Sequence, residues 1–131
     1  MMRGMIESVM ARETYVLAKK MLDAAALRHE LIATNLANAA TPGFKRLDLD
    51  PAFSQQLDSL MQKGDLGAAR SLEIKSYEDS TAKSSRPDGN NIELDRELLE
   101  MNRNALEYDF LAQYTSDSLK RIKTAITGRV T

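Results

Sequence analysis

Apolar positions recur with a helical period at both ends of this chain and lose that period in the middle. Between Ile6 and Ala37 no Pro or Gly interrupts a run rich in Ala, Leu, Met, Lys, Arg and Glu, residues that lose little on entering a helix. Within it Ala18, Leu22, Ala25, His29, Ile32, Leu36 and Ala39 follow intervals of four and three and so share one face. Leu17, Met21, Ala24 and Leu31 widen that stripe. Its alanines favour close approach of a second helix over insertion into a deep core. Near the other end Leu94, Leu98, Met101, Ala105, Tyr108, Ala112, Thr115, Leu119, Ile122 and Ile126 keep a four-three spacing in which only Thr115 is neither apolar nor aromatic. This predicts a coiled-coil helix roughly 50 Å long. Leu99, Leu106, Phe110, Leu111 and Tyr114 lie beside the seam and broaden it.

The first helix is expected to stop near Asn38. Pro42 lacks an amide hydrogen and turns Thr41 away from helical angles, and Gly43 accepts the positive φ of a type II turn. Asn35 and Asn38 stand on the last turn, where their amides can reach carbonyls left without helical partners. Phe44, Leu47, Leu49 and Phe53 then roughly alternate with Lys45, Arg46, Asp48 and Asp50, which predicts an extended strap with its apolar side inward. A short helix is expected from Phe53 to Gln62, interrupted by Gly64 and Gly67, and a short strand within residues 71–77. Residues 78–91 have the composition of a mobile loop, and 63–88 are expected to be the least ordered stretch. Asn90 or Asn91 is expected to cap the long second helix, with acids in its opening turns and Lys120, Arg121 and Lys123 near its end.

The fold class is therefore mainly α: two long terminal helices pairing as a coiled-coil stalk, with a less ordered middle that has room for a short helix or short strands. Residues 1–53 hold the first helix, turn and strap, 54–88 a variable flexible middle, and 89–131 the second helix, one domain being made from both termini. Two helices alone leave much of their apolar stripes in water, so further chains are expected to cover them.

Composition narrows the function. In 131 residues, 43% are hydrophobic but only four are Tyr and three Phe, which suits helix seams rather than a bulky core. Eighteen basic residues against nineteen acidic ones give a net charge of −1 with both signs interspersed, so no electropositive field is available for nucleic acid. The absence of cysteine removes disulfides, thiolate metal sites and a thiol nucleophile. No apolar run approaches the roughly 18 to 20 residues of a membrane span. Glu7 and Glu13 in a start without an apolar core argue against a secretory signal peptide.

Candidate chemistry is sparse. His29 is the sole histidine and sits on the apolar stripe, where a core or interface role outweighs that of a metal ligand. Asp48, Asp50 and Asp95 can be imagined as a cation or acid–base cluster, but carboxylates two apart on a strap commonly face solvent. The serines of residues 71–85 have no histidine near in sequence, and no nucleophile elbow or phosphate-binding loop is present. Met5, Met10, Met21, Met61 and Met101 read as adaptable packing, and the basic end from Lys120 to Arg129 as solvation and dipole complementarity. No catalytic residue, metal site or cofactor is expected.

Asn35-Leu36-Ala37-Asn38 and Thr41-Pro42-Gly43-Phe44, preceded by Glu30-Leu31-Ile32-Ala33, resemble the signature A-x-N-[IL]-A-N-x-x-T-P-G-[FY] of the bacterial flagellar axial proteins, which build rod and hook. Asp88-Gly89-Asn90, Leu94-Asp95, Glu97, Asn104-Ala105-Leu106 and Tyr108, together with the short chain, are similar to the proximal-rod members of that family. The resemblance implies a structural, non-enzymatic subunit of the basal-body rod that polymerises through its terminal helices into the motor's drive shaft. It also implies passage through the flagellar type III export apparatus to a periplasmic rod without a cleavable signal peptide. The partners implied are further copies of the chain, the adaptor protein FliE, neighbouring rod proteins such as FlgC and the export apparatus, with neither nucleic acid nor a small-molecule substrate. The expected assembly interface is the stripe Ala18, Leu22, Ala25, His29, Ile32 and Leu36, the turn residues Asn35, Asn38, Thr41, Pro42, Gly43 and Phe44, and the seam from Leu94 to Ile126 without Thr115. The rival reading is a cytosolic helical-hairpin adaptor or regulator that dimerises through the same heptads.

Overall fold

The computed structural model describes residues 2–82 and 86–128. Residues 83–85, part of the loop expected to be mobile, and Arg129 in the basic end lie outside the described residues. Helix α1 runs Met2–Ala37 and a final helix, Leu94–Thr127, closes the chain. Between them come strand β1 (Leu47–Leu49), α2 (Ala52–Gln62), α3 (Leu66–Ser71) and β2 (Ser76–Glu78), so that the final helix is α4. The fold is mainly α, as the periodicity at both ends predicts.

The two long helices pack antiparallel. Arg28 and Ala25 of α1 meet Glu100 and Asn104 of α4, while Glu7 and Met10 near the other end of α1 share a cleft with Lys120 and Thr124. The first helix ends where Pro42 dictates. Phe44 N–H donates to Thr41 O at 3.2 Å and Gly43 has φ +74°, the hydrogen bond and backbone of a type II turn. A Cβ at Gly43 would meet nothing closer than Asp88 O at 4.0 Å. The cost of Gly43→Ala is therefore conformational, about 1–2 kcal/mol for a side chain in the left-handed region, and a thermal melt is expected to show a corresponding fall in Tm.

The middle segment is a small layer on one flank of α1. Val16 and Ala24 of α1, Phe53 and Leu57 of α2 and Ala69 of α3 form its core, with Leu17, Leu49, Leu60 and Ile74 around them. Helix α2 starts one residue before the expected position and ends at Gln62. Helix α3 was not expected, since Gly67 falls inside it. It forms because Asp65 accepts from Ala68 N–H at its start and Ala69 is fully buried, which outweighs the glycine. The strand expected within residues 71–77 is confined to Ser76–Glu78, where it pairs antiparallel with β1 in the register Leu47–Glu78, Asp48–Tyr77 and Leu49–Ser76.

Three local expectations are corrected. Arg46 does not point outward from the strap but is 1% exposed, because a buried carboxylate on α4 awaits it. Asn35 does not bond to the helix-terminal carbonyls. It pairs with the strand instead, its Nδ2 donating to Leu47 O at 2.8 Å and its Oδ1 accepting from Leu47 N–H at 2.9 Å. Asn38 does behave as expected, donating to Thr34 O at 2.8 Å. Neither Asn90 nor Asn91 caps α4, which begins after Glu93 without a side-chain cap. Asn90 instead closes the end of α1, its Nδ2 facing Asn38 O, Ala39 O and Thr41 O at 2.9, 3.2 and 2.8 Å.

Candidate functional site

Two features decide what this chain presents to its surroundings: a buried polar clasp that sets the orientation of α4, and the apolar residues that this orientation leaves outside. The clasp centres on the Arg46 guanidinium. Its Nε donates to Glu97 Oε1 at 2.5 Å, and its Nη1 to Asp48 Oδ2 and Asp79 Oδ2 at 2.9 and 3.0 Å. Arg46 N–H donates to Asn91 Oδ1 at 2.6 Å, and Asn91 Nδ2 donates to Asp79 O at 3.1 Å and Ala82 O at 3.2 Å. Asn35 Nδ2 lies 3.3 Å from the second Glu97 oxygen, so the end of α1, the strap, the segment after β2 and the first turn of α4 converge on one point.

Burial works against the charge on Arg46, but the hydrogen bonds to Asp48 and Glu97 outweigh it and hold the guanidinium protonated beyond an ordinary arginine. The Asp79 carboxyl is pulled below the usual aspartate range, chiefly by the Thr81 hydroxyl at 2.5 Å and with help from Thr81 N–H and Arg46, against the opposing effect of burial. A depressed carboxyl stabilises the fold fully above its unfolded pKa of about 4 and loses that contribution as pH falls through its lower folded value. Stability measured by urea titration is accordingly expected to drop in acid below about pH 4, and Asp79→Asn to flatten that drop.

The carboxylates of the clasp are committed to arginine. Asp50, once grouped with Asp48, accepts from Ala52 N–H at 2.9 Å at the start of α2, and Asp95 is exposed on α4. No group of three His, Asp or Glu among the described residues could hold a metal ion. His29 is exposed rather than buried. It lines an open groove between the two helices with Ala26, Glu30, Ala105, Tyr108 and Asp109.

The expected interface residues divide into two sets. Ala18, Ala25, Ile32 and Asn35 are buried within the chain, Leu22, Leu36, Asn38 and Phe44 are half-buried, and Thr41, Pro42 and Gly43 are exposed. Along α4 the residues turned inward are Glu97, Asn104, Leu111, Thr115 and Ser118, a mostly polar row. Of the apolar seam, Met101, Ala112 and Ile122 are half-buried. Leu94, Leu98, Tyr108 and Ile126 are 54, 50, 41 and 64% exposed, and Ala105 and Leu119 are also exposed. The cause is geometric. The inward row and the seam both repeat every seven residues but lie side by side on α4, about 40° to 100° apart at 100° per residue, so the seam runs along the edge of the α1 contact and Thr115 alone of its positions is buried.

The sequence reading missed the clasp residues Arg46, Glu97, Asp79 and Asn91 and the closure of the α1 end by Asn90. It also placed Leu99, Leu106, Phe110 and Tyr114 beside the seam, whereas they form a separate exposed row on the side of α4 away from α1. Met2, Met5, Ile6, Val9 and Met10 at the start of α1 are exposed as well, so Met5 and Met10 do not serve as internal packing.

The chain is thus a slender antiparallel helix pair, clamped at one end and carrying exposed apolar rows along α4. No protein-family model matches the chain. Curated relatives do match. The flagellar basal body rod protein FlgB of Yersinia ruckeri is 33% identical over 103 residues, 66% of this chain and 74% of its own length. The FlgB protein of Escherichia coli K12 is 30% identical over 115 residues, 76% of this chain and 82% of its own. That of Salmonella typhimurium is 30% identical over 123 residues, 82% and 88% respectively. The chain belongs to the FlgB family of flagellar basal body rod proteins. It is a structural component of the basal body, and the cytosolic adaptor reading finds no support among these relatives. No helix of the described residues is long and apolar enough to cross a membrane.

Proposed function

We propose that the chain completes its apolar packing only inside the rod, with folding coupled to assembly. The observation that carries this reading is the exposure of two apolar rows on a single helix, Leu94, Leu98 and Ile126 of the seam and Leu106 and Phe110 on the side away from α1, more apolar surface than soluble monomers usually leave in water. In this reading the α4 seam, the exposed turn Thr41-Pro42-Gly43 and the half-buried Leu22, Leu36 and Phe44 meet neighbouring subunits. The buried Ala18, Ala25, Ile32 and Asn35 hold α1 and α4 in the shape that those neighbours recognise. The partners are further copies, the adaptor protein FliE and rod proteins such as FlgC, and the type III export apparatus delivers the chain to the periplasm. A core with one buried aromatic, Phe53, lowers the work of unfolding for export. The subunit transmits torque through lateral helix contacts and catalyses nothing.

The test is location and loss. Purified basal bodies from the source cells are expected to contain the chain in the rod fraction, and its deletion to abolish the basal body. Basal bodies of normal composition in the deletion strain would refute the reading.

A further inference from the structure

We infer that the cavity beneath α2 is a binding site for a short aliphatic amine, with the ammonium head on Asn104, Asp58 and Glu107 and the hydrocarbon stem against α2. This site goes beyond the rod reading and does not depend on it. The middle layer leaves about 210 Å³ open where α1, α2 and α4 face one another. Met21 of α1, Leu49 of the strap and Phe53 and Leu57 of α2 supply its apolar walls. An apolar cavity of about 150 Å³ takes up benzene, so a chain of about four carbons fits here with its head group.

A buried acceptor in the wall lacks a donor. Asn104 is 2% exposed. Its Nδ2 donates to Ala25 O at 2.9 Å, but its Oδ1 has no hydrogen-bond partner among the described residues. Burying a carbonyl oxygen unpaired is costly, and a donor brought by a ligand removes that cost. Two carboxylates line the same cavity, Asp58 from α2 and Glu107 from α4. Both are exposed, and neither has an ion pair among the described residues.

The cations nearby are already engaged. Arg28, which also lines the cavity, has its Nε 3.6 Å from Asp48 Oδ1 and its Nη2 3.3 Å from Glu100 Oε2. Its Nε makes no hydrogen bond and is held toward Asp48 by that ion pair. Arg103 lies 3.7 Å from Glu100 Oε1 and Arg46 2.9 Å from Asp48 Oδ2. Beyond these pairs the cavity offers one carbonyl and two carboxylates. An ammonium carries three donors and no acceptor, whereas an anion would be repelled and an alcohol would leave the carboxylates unpaired. A bare metal ion fits poorly, since no group of three His, Asp or Glu among the described residues could hold one and the walls are hydrocarbon.

NMR of the full chain, titrated with butylammonium chloride at constant ionic strength, tests the site. Saturable shifts are expected at the Asn104 side-chain amide, Phe53 and Leu57, with half-saturation near or below about 1 mM. Butanol, which lacks the charge, and methylammonium, which lacks the stem, are expected to bind at least tenfold more weakly. Asp58→Asn together with Glu107→Gln is expected to weaken butylammonium binding at least tenfold while leaving the urea midpoint unchanged, because both side chains are exposed. The inference is overturned by the lack of a saturable shift at these residues, by butanol or methylammonium binding as tightly as butylammonium, or by undiminished binding in the double variant. None of these results touches the rod reading, which stands or falls on the composition of basal bodies.

Discussion

Glu97→Ala is expected to cost about 3–5 kcal/mol of folding stability, the range for removing one partner of a buried ion pair. Glu97 is 0% exposed and Arg46 1%, so the substitution leaves a guanidinium in the interior without the oxygen that met its Nε at 2.5 Å. It also strips Asn35 of its contact with the second carboxylate oxygen. Arg46→Met is expected to cost at least as much, since three carboxylates then face one another without their shared cation. Urea unfolding followed by circular dichroism measures both. Against a total stability of about 5–15 kcal/mol for a domain, either variant is expected to lose most of its cooperative transition, and a cost under about 1 kcal/mol would show that the clasp does not orient α4.

The second large effect separates stability from assembly. Leu119→Asp is expected to abolish incorporation into rods and motility while leaving synthesis and the folded stability of the subunit nearly unchanged, within about 0.5 kcal/mol, because Leu119 is 38% exposed. Ile122→Asp is expected to abolish incorporation too, but with a loss of stability as well, since Ile122 is half-buried. Basal-body composition and swarm-plate motility, set beside the urea midpoint of each variant, distinguish the two. Normal motility in Leu119→Asp would count directly against an assembly role for the seam.

What the sequence revealed was local. The turn Thr41-Pro42-Gly43-Phe44 was legible because the torsional limits of Pro42 and Gly43 act within four residues. The extents of α1, α2 and α4 were legible for the same reason: a helix is a repeat of near-neighbour interactions. The clasp was not legible, because Arg46 and Glu97 are 51 positions apart and a charged residue on a strap ordinarily faces water. Nor was the rotation of α4. Leucines at Leu94 and Leu98 argue for a seam facing α1, but burial goes to the row Glu97, Asn104, Leu111 and Ser118, which also repeats every seven residues. The one available signal was that row, whose polar members only acquire meaning once Arg46 and the Ala25 carbonyl, which accepts from Asn104 at 2.9 Å, are placed opposite. Asn90 was misread for a related reason: an amide just before a helix is ordinarily its cap, and only the fold brings the end of α1 within its reach.

The clasp joins residues from both halves of the chain, Asn35 and Arg46 on one side and Asp79, Asn91 and Glu97 on the other. Such a knot of long sequence separation can form only once the loops between its members have closed, and it carries their closure entropy. Under the proposed delivery through the export apparatus, a polypeptide threading a narrow conduit from either end cannot tie it until position 97 and position 35 have both emerged, so the wiring of the chain would disfavour completion of the clasp inside the passage.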